Sequence, residues 1–326
     1  MANLPFANKE EISMFNEALA ACLASPLLSA DCPANPVTSS EALNSSDRLS
    51  WQASIEDELA SLWDMNIYKL IPHSSVPPGW KILHGKWVFR LKQDEHGNPI
   101  CFKSRLIAHS FEQIFGQDYV ETTSPTLCME SLWLILHLAA VNGWDVQQID
   151  IKTTYCYDEL PANETVYMEQ PKGFAETSKE DWVWQLQQGL YGMKQSGCIW
   201  NKTMNKTLLS WGFKCLSADS CVYYCKTDAG IIIICIYVDN FIIAGSSSEL
   251  CEAFKTQIHG IWNISDLGDA SFCVSLAISH SRHDHTISLF QTALIDHIIT
   301  TFGLTEAHPI STPMDSNLYL CHPPSN

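Results

Sequence analysis

The apolar residues of this chain recur at helical spacing in five segments. In the first, which begins at Trp51, apolar side chains follow one another every three or four positions, as on one face of an amphipathic helix. The second ends at Asn142-Gly143, a pair that favours the end of a helix, and the third carries two tryptophans on its apolar face. The helices predicted in this way are 51–63, 130–141, 196–211, 249–262 and 291–303.

Runs of strand-forming residues fill much of the remaining chain. The segments 81–93 and 100–110 flank the turn cluster DEHGNP and predict a β-hairpin, and 144–151 predicts a single strand. The largely apolar segment 221–245 is interrupted at DAG and at Asp239-Asn240, which predicts three strands joined by tight turns. Another hairpin is predicted around HSRHDHT. Because helices and strands are mixed without a regular βαβ order, the predicted fold class is α+β.

The composition of the chain is that of a globular protein, with 326 residues, of which 46% are hydrophobic and 17% charged. Its longest apolar run, 231–238, is far shorter than the roughly 20 residues needed to cross a bilayer. The N-terminus lacks the pattern of a secretory signal, so we expect a soluble intracellular protein without a membrane partner. The 13 cysteines include no CxxC pair, and we expect reduced, mostly buried thiols.

The net charge of −17 argues against a nucleic-acid partner, because a polyanion normally requires a basic surface. The charge is unevenly distributed, however. Residues 67–115 carry a net charge of +4 and residues 187–240 a net charge of +2, within an otherwise acidic chain. The bulk charge therefore leaves open whether these two basic segments form a local contact with phosphate groups.

Two aspartates occupy the ends of predicted strands. Asp150 closes the strand 144–151, and Asp239 lies in a turn between two apolar strands. Each alone is an ordinary turn residue. If the strands bring the two carboxylates together, they would repel each other unless a divalent cation lay between them, and Mg²⁺ with its carboxylate and phosphate ligands suits phosphoryl transfer. Both interpretations remain open on these residues alone.

The chain resembles the reverse transcriptase domain of copia-type retrotransposons in eight blocks that follow the family's order and spacing from about residue 42 to 314. Five of these blocks are KWVFRLKQDEHGN, KSRLIAHSFEQIFGQDYVETTSPT, QIDIKTTYCYDELPANETVYMEQPKGF, LYGMKQSGCIW and YVDN. The resemblance implies an RNA-directed DNA polymerase that uses a primer, an RNA or DNA template and deoxynucleoside triphosphates. It also implies a right-hand polymerase with fingers and palm, whose antiparallel palm sheet packs on helices.

The resemblance implies roles for individual residues. Asp150 and Asp239 would hold two Mg²⁺ ions, with Mn²⁺ as an alternative, and Asn240 would complete the catalytic turn. Lys103 and Arg105 alternate along a strand and would clamp the triphosphate, and Tyr155 would lie near the sugar and exclude a 2′-hydroxyl. The nucleotide-binding residues implied are Lys103, Arg105, Tyr155, Gly192, Lys194 and Gln195.

Some positions depart from the family pattern. Asn240 replaces the second aspartate of the family's YVDD, and His109 and Cys198 stand where the family has cations. An amide oxygen is a poorer Mg²⁺ ligand than a carboxylate. An alternative function is therefore a catalytically inactive retrotransposon relic that folds and binds nucleic acid without polymerising. The substitutions leave both functions open.

The resemblance also divides the chain into regions. We expect a poorly ordered lead-in at 1–50, an N-terminal helix and fingers-like region at 51–143, and a palm with the catalytic motifs at 144–248. Residues 249–326 are expected to form the end of the palm and a thumb-like connection, truncated before any RNase H domain. The expected location is intracellular, in a cytoplasmic particle or the nucleus.

Overall fold

The computed structural model of the chain describes residues 35–93 and 99–307. Most of the predicted lead-in, the turn of the first predicted hairpin and the last 19 residues lie outside the described residues. The chain divides into two compact units, and the described parts of the smaller one are 275–277 and 290–307. The boundaries predicted between fingers, palm and thumb remain predictions.

Six helices occur among the described residues, and five of them correspond to the five predicted from periodicity. The additional one, α1, lies within the predicted lead-in and begins after Thr38, whose side chain accepts a hydrogen bond from the Glu41 amide. The next helix also begins three residues earlier than predicted. The helices are α1 Ser39–Asn44, α2 Arg48–Asp64, α3 Met129–Asn142, α4 Ser196–Ser210, α5 Ser248–His259 and α6 Thr292–Thr301.

The strands include every predicted one and several short strands that were not predicted. In chain order the first eight are β1 Tyr68–Pro72, β2 Ile82–Leu83, β3 Gly85–Gln93, β4 Pro99–Ala108, β5 Asp145–Ile151, β6 Val166–Glu169, β7 Trp182–Leu186 and β8 Lys214–Leu216. The remaining seven are β9 Asp219–Thr227, β10 Gly230–Tyr237, β11 Asn240–Gly245, β12 Ile264–Asp269, β13 Phe272–Cys273, β14 Leu276–Ser281 and β15 Thr286–Phe290.

The predicted hairpin of β3 and β4 is present, and its two faces differ in polarity. The apolar face packs on α2, where the Trp51 ring meets Phe89 and Phe102 edge to face at centroid distances of 5.3 and 4.8 Å. The opposite face carries cations, since the register sets Arg90 across from Lys103. Alternation of side chains along the strands therefore separates the core of this region from a basic surface.

The largest sheet has six antiparallel strands in the order β12-β5-β11-β10-β9-β8. Its central strands β10 and β11 are apolar on both faces because helices cover both. Residues of α4 and α5 pack on one face, around Phe241, and residues of α3 pack on the other, around Ile242. A four-stranded sheet, β1-β7-β6-β2, and a three-stranded sheet, β13-β14-β15, complete the β-structure. Helices packed on antiparallel sheets confirm the predicted α+β class.

Two further expectations concern the environment of the chain. Within the described residues no helix is long and apolar enough to cross a membrane. The ten described cysteines are free thiols, and six of them are buried. The predicted intracellular location remains a prediction.

Candidate functional site

The structure brings Asp150, Asp239 and Asn240 together at one end of the six-stranded sheet. The register of β5 and β11 sets Asn240 directly across from Asp150. Asp239 is the second residue of the two-residue turn Val238-Asp239 and directly precedes Asn240, the first residue of β11. The Asp239 carbonyl accepts a hydrogen bond of 2.8 Å from the Ile151 amide. The two carboxylates therefore come from neighbouring strand ends, as the paired-carboxylate interpretation of the sequence required.

The turn that carries Asp239 is held in a conformation that its sequence does not favour. Val238 has a φ of +59°, in the left-handed region that β-branched residues rarely adopt. The pairing of β10 with β11 imposes this turn, because Tyr237 and Asn240 face each other across it. The Trp200 indole of α4 adds a hydrogen bond of 2.9 Å to the Val238 carbonyl. The carboxylate is thus presented from a turn fixed on both sides.

The Asn240 side chain belongs to a polar network inside the protein. Its Oδ1 accepts a hydrogen bond of 2.6 Å from Nε2 of Gln148, which is buried and also donates to the Phe272 carbonyl at 2.9 Å. A carboxylate oxygen could accept the same bond from Gln148. The bond from Gln148 therefore does not require an amide at position 240.

Arg105 and two tyrosines form an aromatic and cationic wall near these carboxylates. The Arg105 guanidinium lies 4.9 Å from the centre of the Tyr191 ring, in cation–π geometry. Tyr191 in turn meets Tyr155 edge to face, with ring centres 5.6 Å apart. The contact fixes the direction of an arginine side chain that would otherwise be mobile.

Electrostatics link this wall to the Asp239 turn. Burial raises the pKa of the Tyr155 hydroxyl, the Asp239 carboxylate raises it further, and Arg105 lowers it. Burial also raises the pKa of Tyr191, and the charge of Asp239 contributes in the same direction. Arg105, Tyr155 and Tyr191 therefore share the field of Asp239 and belong to the same site.

A partly buried carboxylate lies beneath the basic strand. Glu58 of α2 accepts a hydrogen bond of 3.3 Å from the Leu106 amide, and burial raises the pKa of its carboxyl. The positive charges of Arg105 and Lys103 oppose this rise. Glu58 thus supplies a counter-charge for the cations of β4 from the protein side of the strand.

Gly192 is required by a close backbone approach to β4. Its φ is +86°, and a Cβ atom added there would lie 2.3 Å from Ile107 Cγ2 and 2.5 Å from the Ala108 carbonyl oxygen. The neighbouring Tyr191 carbonyl accepts a 2.9 Å hydrogen bond from the Ala108 amide. This glycine therefore joins the Tyr191 turn to the strand that carries Arg105.

Lys194 and Gln195 make contacts with the segment that follows β4. The Lys194 ammonium lies 3.3 Å from the Tyr119 hydroxyl and 4.7 Å from the centre of its ring. Gln195 is 1% exposed, and its amide bonds to Gln113 at 3.0 Å and to the Asp118 carbonyl at 2.7 Å. Both residues serve a network within the protein, and Gln195 presents no surface to a ligand in this arrangement.

The donor set of the site fits Mg²⁺. Among the described residues, no group of three or more histidine, cysteine, aspartate and glutamate side chains is arranged to hold a metal ion. Asp150 and Asp239 provide two carboxylates, with the Asn240 amide beside them. Mg²⁺ typically takes one or two carboxylates and completes its octahedron with water and substrate phosphates. The arrangement therefore suits a metal that arrives with a phosphate substrate.

Three residues of the site were not predicted from the sequence: Glu58, Gln148 and Tyr191. Each acts through a partner that is distant in the chain, such as Asn240 for Gln148. Tyr191 lies within the block LYGMKQ and directly precedes Gly192, for which the resemblance implies nucleotide binding. That position could have indicated that Tyr191 belongs to the site. Gln148 and Glu58 carried none, because only the packing of β5 and α2 gives them a role.

Comparison with known proteins shows the family to which the chain is similar. The family model described as reverse transcriptase (RNA-dependent DNA polymerase) matches residues 65–316. The retrovirus-related Pol polyprotein from transposon TNT 1-94 of Nicotiana tabacum is 32% identical over 87% of this chain and 21% of its own length. Those from transposons RE2 and RE1 of Arabidopsis thaliana are each 26% identical over 81% of this chain and 18% of their own. The chain thus spans about a fifth of these relatives.

Proposed function

The chain belongs to the reverse transcriptase (RNA-dependent DNA polymerase) family, as a reverse transcriptase domain of a copia-type retrotransposon Pol polyprotein, and we propose that it adds deoxynucleotides to the 3′-hydroxyl of a primer on an RNA or DNA template. The observation that carries this proposal is the register of β5 and β11, which sets Asp150 across from Asn240 and beside the Asp239 turn. Two carboxylates at this position suit phosphoryl transfer.

In this proposal Asp150 and Asp239 hold two Mg²⁺ ions, with Mn²⁺ as an alternative. Bound there, the ions would supply activation of the primer 3′-hydroxyl and neutralisation of charge on the triphosphate and on the leaving pyrophosphate. Asn240 contributes a neutral amide that Gln148 already engages through its oxygen. The two aspartates therefore carry the negative charge on which metal binding depends.

Lys103 and Arg105 would bind the triphosphate from β4. The guanidinium of Arg105 is suited to phosphate because its donors form a planar fork, and Tyr191 holds it at 4.9 Å. Tyr155 would lie against the sugar, where its ring would exclude a 2′-hydroxyl and so favour deoxynucleotides. Burial of Tyr155 and its edge-to-face contact with Tyr191 support a fixed ring at this place.

Tyr191 is a positioning residue for Arg105 in this scheme. We expect Tyr191→Leu to raise the KM for the deoxynucleotide about five- to thirtyfold with a smaller change in kcat, since a cation–π contact contributes about 1–2 kcal/mol. Tyr191→Phe keeps the ring and should stay within about twofold. Steady-state primer extension at varied dTTP, with melting temperatures of all forms, gives the comparison. Equal effects of leucine and phenylalanine would contradict the role.

The test of the proposed function is primer extension on poly(rA)/oligo(dT) with Mg²⁺ and with Mn²⁺. We expect the Asn240→Asp protein to extend the primer at least about tenfold faster than the unaltered chain, because it restores a charged ligand at the turn; tenfold corresponds to about 1.4 kcal/mol of transition-state stabilisation. Absence of extension by both proteins, with both folded by circular dichroism, would overturn the proposal for this chain.

A second candidate function is favoured by the amide at position 240. A relic that binds a primer–template without polymerising is consistent with Asn240, whose oxygen is bonded to Gln148. Extension by Asn240→Asp but none by the unaltered chain would favour this second function. In that case salt-dependent binding of a primer–template should persist, since phosphate contacts give a steep salt slope.

A further inference from the structure

The segment 110–120, between β4 and α3, has its polarity reversed relative to an ordinary surface loop. Its polar residues Gln113 and Asp118 are 5% and 0% exposed, whereas Phe111 and Phe115 are 77% and 68% exposed. Ile114 also lies outward, with 44% of its surface exposed. Single exposed apolar residues are common, but a group of them on one short segment marks an interaction surface.

This exposure does not arise from a loosely held loop. The Gln113 side chain donates to Gln195 Oε1 at 3.0 Å and accepts from the Lys194 amide at 2.8 Å. Asp118 Oδ2 accepts from the Ile114 amide at 2.7 Å, inside the same segment. The Gln113 side chain therefore anchors the segment to the Lys194 turn, and the Asp118 side chain fixes the segment internally, so that the apolar side chains are held outward.

Phe111 forms one wall of a cleft. Its ring stacks on His109 with centroids 5.0 Å apart and planes 29° apart, and His109 lies 6.4 Å from the His84 ring. The cleft has a volume of about 390 Å³, and Glu112 and Lys172 are among its other lining residues. This volume lies in the range of small-ligand pockets, about 300–1,000 Å³. An exposed stacked ring over such a cleft suits a flat aromatic ligand.

Charges of both signs line the cleft, and exposed lysines extend from it towards the β3–β4 hairpin. His84 lies between the two carboxylates of the cleft, 3.0 Å from Glu112 and 3.4 Å from Glu169. Lys172 is exposed at the cleft and at an adjoining groove, where Lys86 is a second exposed cation. The basic face of the β3–β4 hairpin continues from Lys86. Cations that follow a backbone, beside aromatic rings that stack bases, are the combination by which proteins bind single-stranded nucleic acids.

We propose that Phe111 and His109 form a stacking site for unpaired bases of a single-stranded nucleic acid, namely the template strand ahead of the primer terminus. The identification of that strand as template rests on the proposed function. The location supports it, because His109 directly follows Ala108, whose amide is bonded to the Tyr191 turn of the catalytic site. A template that crosses the cleft would therefore contact His109, which directly follows β4, the β-strand that carries Arg105.

The experiment compares two primer–template duplexes by fluorescence anisotropy, one blunt and one with a 5′ template overhang of about six nucleotides. We expect the unaltered chain to bind the overhang duplex more tightly, and Phe111→Ala to reduce that advantage at least about fivefold while leaving blunt binding unchanged, because stacking contributes about 1–3 kcal/mol per base. Phe111→Trp should keep the advantage and Phe111→Leu should lose it, since leucine is apolar but offers no ring.

Trp133→Ala is the matched control, because Trp133 is an aromatic residue exposed to 49% on α3, outside this surface. An equal loss with Trp133→Ala, or no overhang advantage in the unaltered chain, would overturn the proposal. A Phe111→Ala protein that binds both duplexes normally but changes from dimer to monomer in sedimentation would also overturn it, in favour of an interface between copies. Asp150→Asn should keep the advantage, so loss of catalysis leaves the proposal testable by binding alone.

Discussion

Replacing either Asp150 or Asp239 by asparagine is expected to lower primer extension at least about a thousandfold, which corresponds to on the order of 4 kcal/mol of transition-state stabilisation. The reason lies in the local charge. With Asn240 already neutral, these two carboxylates are the charged groups that the β5–β11 register sets at this end of the sheet. Loss of either leaves one charged ligand for two cations. Single-turnover extension by the unaltered chain and by each variant measures the loss.

The sheet offers a matched control for this prediction. Asp228 occupies the turn between β9 and β10, at the opposite end of β10 from Asp239. Asp228→Asn removes the same charge from another two-residue turn of the sheet and should leave extension unchanged. If Asp228→Asn lowered extension as much as Asp239→Asn, the effect would reflect the stability of the sheet, and the assignment of Asp239 as a metal ligand would be wrong.

Gly192→Ala is expected to destabilise the protein by about 3–5 kcal/mol. A left-handed backbone is costly for alanine, and its Cβ would lie 2.5 Å from the Ala108 carbonyl oxygen. Relief of that clash requires separation of the Tyr191 turn from β4, which breaks the 2.9 Å bond between the Ala108 amide and the Tyr191 carbonyl. Urea denaturation followed by circular dichroism measures the loss in the free energy of unfolding.

Gly212 is a control that distinguishes the cost of the left-handed backbone from the cost of the steric clash at Gly192. Its φ is +85°, almost that of Gly192, but a Cβ added there meets no atom within 4 Å. Gly212→Ala should therefore cost only the backbone strain, about 1–2 kcal/mol. Equal losses for the two variants would show that the junction at Ala108 relaxes freely, and that Gly192 is not needed for the approach of the turn to β4.

The secondary structure was predictable where the hydrophobic pattern is long and regular. The helices α2 to α6 and the β3–β4 hairpin follow from periods of 3.6 and 2. The strands β6 and β7 were missed because each has five residues or fewer, so that too few positions alternate. The helix α1 was missed because a lead-in rich in serine and asparagine hides a single capped turn.

The candidate site was predictable as a set of blocks but not as a set of contacts. Asp150 and Asp239 stood out because a carboxylate at the end of an apolar strand requires a partner. Gln195 could not be placed by the same reasoning. A polar residue at the start of a helix reads equally as a ligand or as part of an internal network, and only the burial of Gln195 against Gln113 distinguishes them. The role of Tyr191 depends on its contact with Arg105, which lies on β4 and is distant in the sequence.

The pairing of β5 with β11 has a consequence for the order in which the site forms during synthesis. The hairpin of β10 and β11 is local in sequence, so the Asp239 turn can form early. Asp150 is contributed by β5, which pairs with β11 only after the intervening chain has been made. The hydrogen bond between Gln148 of β5 and Asn240 of β11 joins residues 92 positions apart. A nascent chain emerges from its N-terminus, and until β11 has left the ribosome β5 has no neighbour to bring Asp150 to the turn. This end of the six-stranded sheet is therefore assembled late, when β11 pairs with β5.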